Sequence, residues 1–559
     1  MAQARSNPEG EMFDYVIVGA GSAGCVLASR LTEDAALRVC LLEAGEPDNS
    51  ALVRMPSGVG ELLRQKGKFN WGFETIPQAH LNDRVLWQPR GRGWGGSSTI
   101  NGMIYIRGHA SDYDQWGQMG LTGWSYRDVL PYFKRSEAYT GGADAWHGGE
   151  GPLAVSHPES GNPIYSAFVA AGEQAGYPRT DDFNGASQEG VGPYQLTIKD
   201  GVRWSAAMGY LRPLLGVRRN LEIKSRAHAH KIIFEGNRAV GVAFSAGPGR
   251  PLQTVRASKE VLIAAGTMQS PQLLQLSGIG DPAWLTAAGV EVRVDRPAVG
   301  RNLQDHLDAP VVYECPEPIT AYSLTKGLRK LGVGLDYLVR KQGPGRYNWL
   351  ESGAFLRTRR ELDVPDIQIH VVAGIMLDHG RNVVDKDGFT VHVCQLRPES
   401  RGEIRIVTSD PFNPPAIDPN YLASDMDRRT MRDGVRVARA IVGQAALDAL
   451  RGPEYAPGPA VHTDSELDAW IRQTAETIYH PVGTCRMGID ADSVVDAQCR
   501  VRGFEGLRVI DASVMPTLVG GNTNAPTIMM AEKAADMLRG CPALPPEDAP
   551  TTRPAGASL

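Results

Sequence analysis

The stretch "FDYVIVGAGSAGCVLASRLTED", Phe13–Asp34, decides the fold. It opens on a short β-branched run, Tyr15 to Val18, which suits a central parallel strand buried on both faces. Gly19, Gly21 and Gly24 follow in G-x-G-x-x-G spacing, and then a helical stretch with Val26, Leu27 and Leu31 on one side. A second apolar run, "RVCLLEAG", carries Glu43, 24 residues after Gly19. Strand, glycine turn, helix, strand and acid together are the dinucleotide fingerprint. Gly19 permits the tight turn. Gly21 and its neighbours Ser22 and Ala23 let a pyrophosphate approach the helix N-terminus, where free N–H groups and the helix dipole favour an anion. Gly24 lets helix and strand pack closely, and Glu43 is placed to accept from a ribose diol. NAD and FAD share this pattern. No second complete copy exists: "SGIGDPAW" stops short of its third glycine. One dinucleotide and a large separate substrate region are therefore expected.

The rest of the composition narrows the class. At 559 residues, with 42% apolar and 22% charged residues, this is an ordinary globular chain. Two or three domains, or one core with an appended part, are expected. The net charge of −5 and the lack of a Lys/Arg block exclude a nucleic-acid partner. The 63 glycines are not periodic, which excludes collagen and solenoid repeats. Seven cysteines, an odd number without a C-x-x-C pair, read as reduced thiols of a cytoplasmic protein; no metal site is expected. No run approaches the ~18 apolar residues of a membrane span. "MAQARSNPEGEMFD" has no signal-peptide core. The expectation is a soluble chain with at most peripheral contact to the inner membrane. Residues 541–559, rich in Pro, Ala and Thr, are expected to form a disordered tail.

Two more glycine-rich pieces repeat the opening logic. In "PRGRGWGGSSTINGMIYIRGH", Gly95, Gly96 and Ser97 form a loop against which a flat ring can lie, with Asn101 and Gly102 next and the apolar run Met103 to Ile106 after them. In "VLIAAGTMQSPQLLQLSGIG" a strand ends at Ala265-Gly266 and a helix is expected to open near Ser270-Pro271.

Toward the C-terminus, "HTDSELDAWIRQTAETIYHP" reads as a helix with a Thr463/Glu466 capping box. Pro481 disfavours the helical region for His480, so the helix is expected to end there and fix the imidazole at its exit. Asp511 falls at the end of the strand in "LRVIDASVMP", where it can meet a ligand or merely cap the next turn. "GNTNAPTIMMAEKAADML" is expected to start a helix at Pro526, with Asn524 as either a plain N-cap or a functional amide.

With these motifs in order, the sequence resembles the glucose-methanol-choline (GMC) family of flavin-dependent oxidoreductases over roughly residues 12 to 540. "GRGWGGSSTINGMIYIRG" looks like its first signature, "GTMQSPQLLQLSGIG" its second, and "YHPVGTCRMG" with "GNTNAPT" its C-terminal pair. The resemblance implies an α/β chain: a Rossmann-like FAD-binding domain (12–155, 200–300 and 470–540) and a mixed-sheet substrate-binding domain (156–199 and 301–469). It implies FAD contacts at Ala44, Trp71, Met103, Ile104, Ala229, Ala265, Gly266, Asp511, Ala512, Pro526 and Thr527, besides the residues already named. Some members tie the flavin through a histidine of the first signature. Ile100 stands there, so FAD should be non-covalent.

The family's catalytic pair falls on His480 and Asn524. A neutral imidazole, with an ordinary pKa of about 6.5, is available to take the hydroxyl proton of an alcohol. Asn524 can donate to the developing alkoxide. The implied reaction is hydride transfer from a small alcohol to flavin N5, giving an aldehyde, with a quinone-like carrier or O2 as final electron acceptor. Tyr479, Tyr347, Trp349 and Met376 are candidates for the pocket wall. Within the family the sequence looks most like bacterial alcohol and polyethylene glycol dehydrogenases, so a neutral primary alcohol (aliphatic, aromatic or polyether) is favoured over choline; no acid stands out as a cation anchor. The alternatives are a choline-type dehydrogenase, an O2-using oxidase, a hydroxynitrile lyase on the same fold, or a redox-silent FAD-binding protein.

Overall fold

The computed structural model describes residues 10–550. Its chain forms two units, each built on a large sheet. The first sheet runs in the order Leu221–Ser225, Val39–Glu43, Glu11–Val18, Gln253–Ile263, Arg238–Ser245, His228–Glu235, with Leu507–Val509 also pairing to Gln253–Ile263. Its first four strands are mutually parallel, as is the Leu507–Val509 pair, and the hairpin His228–Ser245 adds an antiparallel edge. Tyr15 to Val18 and Val39 to Glu43 are buried throughout, as a strand covered on both faces must be.

The second sheet is antiparallel: Glu454–Ala456, Leu307–Glu314, Gly388–Gln395, Ile367–Val372, Ser352–Leu356, Gly190–Pro193. The helices Pro163–Gln174 and Asp425–Val442 pack on one face. Gly434 gives the second of these its close approach: a Cβ there would stand 2.6 Å from Val393. The other face turns toward the first unit. Ile367–Val372 and Gly388–Gln395 are therefore buried on both faces, although their sequences alternate polar and apolar. The "GEIR" strand of that region lies elsewhere, in a small three-stranded sheet with Arg301–Leu303 and Ala416–Asp418.

Four expectations are corrected. The helix with the Thr463/Glu466 capping box ends at Thr474, not at His480. The chain then turns extended, and Glu476–Thr477 pairs with Leu307 and Asp308 of the second sheet. Leu467 and Ile471 pack into the second core, so a boundary at residue 470 cuts through a helix of that unit. The helix after Gly266 begins at Gly266 itself, with Pro271 inside it. Proline removes the N–H that Thr267 O would accept, and the Thr484 hydroxyl replaces it at 2.7 Å. Finally, residues 541–550 lie on the helix Tyr126–Ser136: Leu544 N donates to Tyr132 Oη and Glu547 N to Arg127 O. The remainder of the expected tail, 551–559, is outside the described residues.

Candidate active site

A deep cavity lies where the two units meet. It encloses about 2050 Å³ of empty space, its open mouth included. The tips of the parallel strands form its floor, with Val18, Leu42 and Ala264 exposed to it, and His370 and His392 of the second sheet close it from above.

The glycines do what their spacing requires. Gly19 has φ +101°, and a Cβ on it would sit 2.5 Å from Ala264 O. A Cβ on Gly24 would sit 1.8 Å from Gly19 O, so helix and strand touch backbone to backbone. At Gly21 a Cβ would meet nothing nearer than 3.9 Å, which leaves that side of the turn to a ligand. Gly96 comes so close to Gly21 that a Cβ would be 2.7 Å from its Cα; the two glycine loops thus form one wall.

The helices Ser22–Leu31 and Asn524–Arg539 both start at the cavity with no side chain capping their N-termini. Two sets of free N–H groups therefore face the same space. Glu43 accepts from Ala20 N (2.8 Å), Gly45 N (2.7 Å) and Gly93 N (2.9 Å). A carboxylate offers about four acceptor positions, so it braces both glycine loops and keeps room for a ribose hydroxyl. This donor and acceptor set fits a dinucleotide diphosphate.

Most of the expected cofactor residues line this cavity: Gly19, Gly21, Ser22, Ala23, Glu43, Ala44 and Trp71 on one side, then Gly96, Ser97 and Asn101 to Ile104, and Ala229, Ala265, Gly266, Asp511, Ala512 and Thr527. Gly24, Gly95 and Pro526 do not. Gly24 is enclosed in the helix–strand contact, Gly95 (φ +88°) makes the turn that donates to Ala20 O, and Pro526 is buried inside the first turn of its helix. Asp511 serves its own neighbours. Its Oδ2 accepts from Gly266 N (2.8 Å) and Ser270 Oγ (2.5 Å), its Oδ1 from Ser513 N (2.8 Å).

Of the pocket candidates, Met376 and Tyr479 line the cavity. Tyr347 and Trp349 do not; Trp349 packs against the second core. Tyr479 has φ +75°, unusual for an aromatic residue. It packs with Val59, Leu62 and Ile100, and its hydroxyl meets His379 Nδ1 at 2.6 Å.

His480 stands in the cavity wall, 7% exposed, held by a chain of partners that fixes its tautomer. His306 Nε2 faces Leu396 O at 3.0 Å, and a carbonyl only accepts, so Nε2 carries the hydrogen and Nδ1 of His306 accepts. His480 Nδ1 lies 3.1 Å from that acceptor and must donate. Nε2 of His480 is thereby left with a lone pair, which receives Asn522 Nδ2 at 3.0 Å. Burial, and then the charges of His306, His370 and Arg90, push the His480 pKa well down, so the ring is neutral.

Its backbone is fixed as well. His480 N donates to Asp305 Oδ1 (2.9 Å), while Thr477 Oγ1 and Tyr421 Oη occupy Oδ2. Thr267 Oγ1 donates to Pro481 O (2.8 Å), tying this segment to the first unit.

Asn524 lines the cavity with His480 but does not hydrogen-bond to it. It is the first residue of its helix, and its Oδ1 accepts from Ser22 Oγ at 2.7 Å. The amide on the imidazole is that of Asn522, whose Oδ1 in turn accepts from Gln368 Nε2 (3.1 Å). Sequence reasoning missed Asn522, His306 and Asp305. For Asn522 the signal was present, since "GNTN" offers two asparagines where only one was weighed.

The wall opposite holds His370 and His392, cross-strand neighbours. Among the described residues His370 Nδ1 and His392 Nε2 have no hydrogen-bond partner. His392 Nδ1 is held by Asp308 Oδ2 at 2.5 Å, and that carboxylate outweighs burial and raises the His392 pKa. Behind it, ligand-type atoms of Asp378, His379 and Glu476 lie within 4.8 Å of one another. Burial and then Asp378 and Asp308 push Glu476 up to about 8.

A dinucleotide cradle lies beside a neutral, tautomer-fixed histidine in one cavity. Family profiles described as GMC oxidoreductase match residues 13–308 and 398–531. The chain belongs to the GMC oxidoreductase family, whose members bind FAD. It is 46% identical over 543 residues to an oxygen-dependent choline dehydrogenase of Photobacterium profundum, covering 96% of this chain and 95% of that one. It is 48% identical over 538 residues to one of Chromohalobacter salexigens, covering 95% and 96%. Among solved structures, pyridoxine 4-oxidase from Mesorbium loti superposes with a TM-score of 0.85 at 33% identity, covering 94% of this chain and 99% of that one. A point variant of formate oxidase of Aspergillus oryzae RIB40 superposes with a TM-score of 0.89 at 27% identity, covering 96% and 99%. No helix among the described residues is long and apolar enough to cross a membrane.

Proposed function

We propose that this chain oxidises a primary alcohol to the aldehyde, with Nε2 of His480 accepting the hydroxyl proton. The observation that carries this reading is the bond chain Leu396 O, His306, His480, Asn522, which leaves one lone pair facing the cavity. FAD supplies the hydride acceptor when bound. A substrate hydroxyl arriving at Nε2 would displace the Asn522 N–H, donate its proton to the ring, and accept from the freed Asn522 amide. Asn524, which lines the same cavity at its helix start, has its Oδ1 taken by the Ser22 hydroxyl. Ile100 lines the cavity but has no nitrogen to bond a flavin, so FAD is held without a covalent link.

For the substrate, the choline dehydrogenase relatives support an alcohol with a cationic head, and Asp308, paired with His392, lies just behind the pocket wall. A neutral alcohol is the second reading. It is favoured because, among the described residues, the carboxylates on the cavity surface are Glu43 and Asp511, and both serve the cofactor end.

The test is anaerobic stopped-flow reduction of the flavin with choline and with neutral aliphatic, aromatic and polyether alcohols. One class should bleach the flavin, and His480→Ala should lower that rate by about 10²–10⁴-fold while retaining FAD. An undiminished rate in His480→Ala rules the assignment out. No bleaching by any alcohol would point to a lyase or a redox-silent protein. Peroxide formation in air would mark O2 as the acceptor in place of a quinone-like carrier.

A further inference from the structure

The helix Leu328–Arg340 faces the wrong way for a helix of a water-soluble surface. At 3.6 residues per turn, Leu328, Leu331, Leu335, Leu338 and Val339 fall within an arc of about 120°. All five are between 57% and 84% exposed. The opposite side carries Tyr337, the helix's buried residue, whose hydroxyl donates to Arg54 O at 3.0 Å. An amphipathic helix normally turns its apolar stripe to the core; here the stripe points out.

Charge distinguishes this stripe from a plain apolar patch. Lys326, Arg329, Lys330, Arg340 and Lys341 share residues 326–341 with one acid, Asp336, a segment charge of +4 on a chain whose net charge is −5, and Glu61 of a neighbouring helix offsets Lys330.

We propose that this face docks on a lipid bilayer bearing anionic headgroups. The aliphatic row would enter the boundary between headgroups and acyl chains. The basic side chains, with stems that can lie along apolar surface, would reach the phosphates. A second copy of the chain is a poorer occupant, since two +4 segments would be pressed together. The docked helix adjoins the active site: Lys330 Nζ pairs with Glu61 at 2.6 Å, and Glu61 belongs to the helix Val59–Leu63, whose Val59, Gly60 and Leu63 line the cavity. Membrane and cavity wall are one short helix apart.

The test is flotation of the FAD-loaded chain with vesicles of phosphatidylcholine, with and without phosphatidylglycerol. The wild type should float with the anionic vesicles and be released by high salt. Leu331→Ser/Leu335→Ser/Leu338→Ser should reduce bound protein at least about tenfold, with flavin absorbance unchanged. If that variant loses flavin, Lys326→Glu/Arg329→Glu decides alone, with the same loss expected. Failure of the wild type to float, or full binding by the variants, overturns the proposal. So does a wild-type dimer that the leucine variant makes monomeric while lipid binding stays absent. None of these readouts depends on alcohol oxidation, so this proposal and the catalytic reading stand or fall separately.

Discussion

The smallest unit that explains the site is the His306–His480 pair. A lone imidazole in solution divides its proton between two nitrogens. Here one carbonyl, Leu396 O, sets the tautomer of His306, and His306 sets that of His480. His306 is thus a positioning residue. Replacing it with Phe keeps the volume but leaves His480 Nδ1–H without an acceptor, and the lone pair can then move to the wrong nitrogen. His306→Phe is expected to slow anaerobic flavin reduction by about 10²-fold with FAD retained, within the range assigned to general-base help. A KM effect with an unchanged limiting rate would mean that His306 only shapes the pocket.

The sequence was legible here to a definite depth. Gly19, Gly21, Gly24 and Glu43 could be assigned because their chemistry is local: a turn, a close approach, an acid after the second strand. His480 could be picked out only through the family resemblance. Its partners could not. Asp305 and His306 lie about 175 residues upstream and reach it through strand pairing that no local pattern encodes. Asn522 and Asn524 have the same chemistry two positions apart, and only the backbone turn into the helix separates their directions.

At the scale of the element, the instructive piece is the helix Gly266–Leu276. Helix-start rules put Pro271 at the first turn. The chain instead begins the helix five residues earlier, because Gly266 (φ +83°) turns at the cavity and Asp511 holds its N–H. The interior proline is tolerated because a hydroxyl from outside the helix, Thr484 Oγ1, takes over the donor role at Thr267 O. Thr484 is fully buried. Thr484→Val has nearly the same shape and leaves a buried carbonyl unsatisfied, which should cost about 1–3 kcal/mol in denaturant unfolding. Placing Pro271→Ala beside it restores an N–H, so the loss in the double variant should shrink. Equal losses in both backgrounds would mean that the hydroxyl has no role in tolerating the proline. The same comparison explains the misplaced helix end before His480. Periodicity ran on to Ile478, but pairing of Glu476–Thr477 with the second sheet outweighs local helical preference, and Pro481 follows a strand.

Across the whole molecule, closing two sheets over a cofactor cavity buries an unusual set of histidines without charge. Burial lowers the pKa of His306, His370 and His379 to about 3 and of His228 to about 4, and pushes His480 well down. In the unfolded chain each returns to about 6.5. As pH falls below that value the unfolded state takes up protons that the folded state refuses, so stability declines. Glu476 works the other way. Its folded pKa of about 8 lets the folded state hold a proton that the unfolded chain has lost above about 4.5, which favours folding as pH falls through that interval. Burial also raises Asp305, Glu351 and Asp366, and carboxylate partners outweigh burial to raise His147 and His392, all acting with Glu476; below pH 6.5 the five histidines above, joined by His109 and His230, act against them. Each lowered histidine contributes up to about 1.4 kcal/mol per pH unit once fully protonated in the unfolded chain. Denaturant unfolding of the FAD-loaded protein, at constant free FAD, should therefore show stability near its maximum around pH 6.5 and falling toward pH 5. His370→Gln removes one of these groups from the account and should make the slope below pH 6.5 shallower, by about one proton's worth. A stability profile that stays flat from pH 7 to pH 5 would mean that the buried imidazoles accept protons in the folded state, and the neutral form required of His480 would no longer follow from its burial.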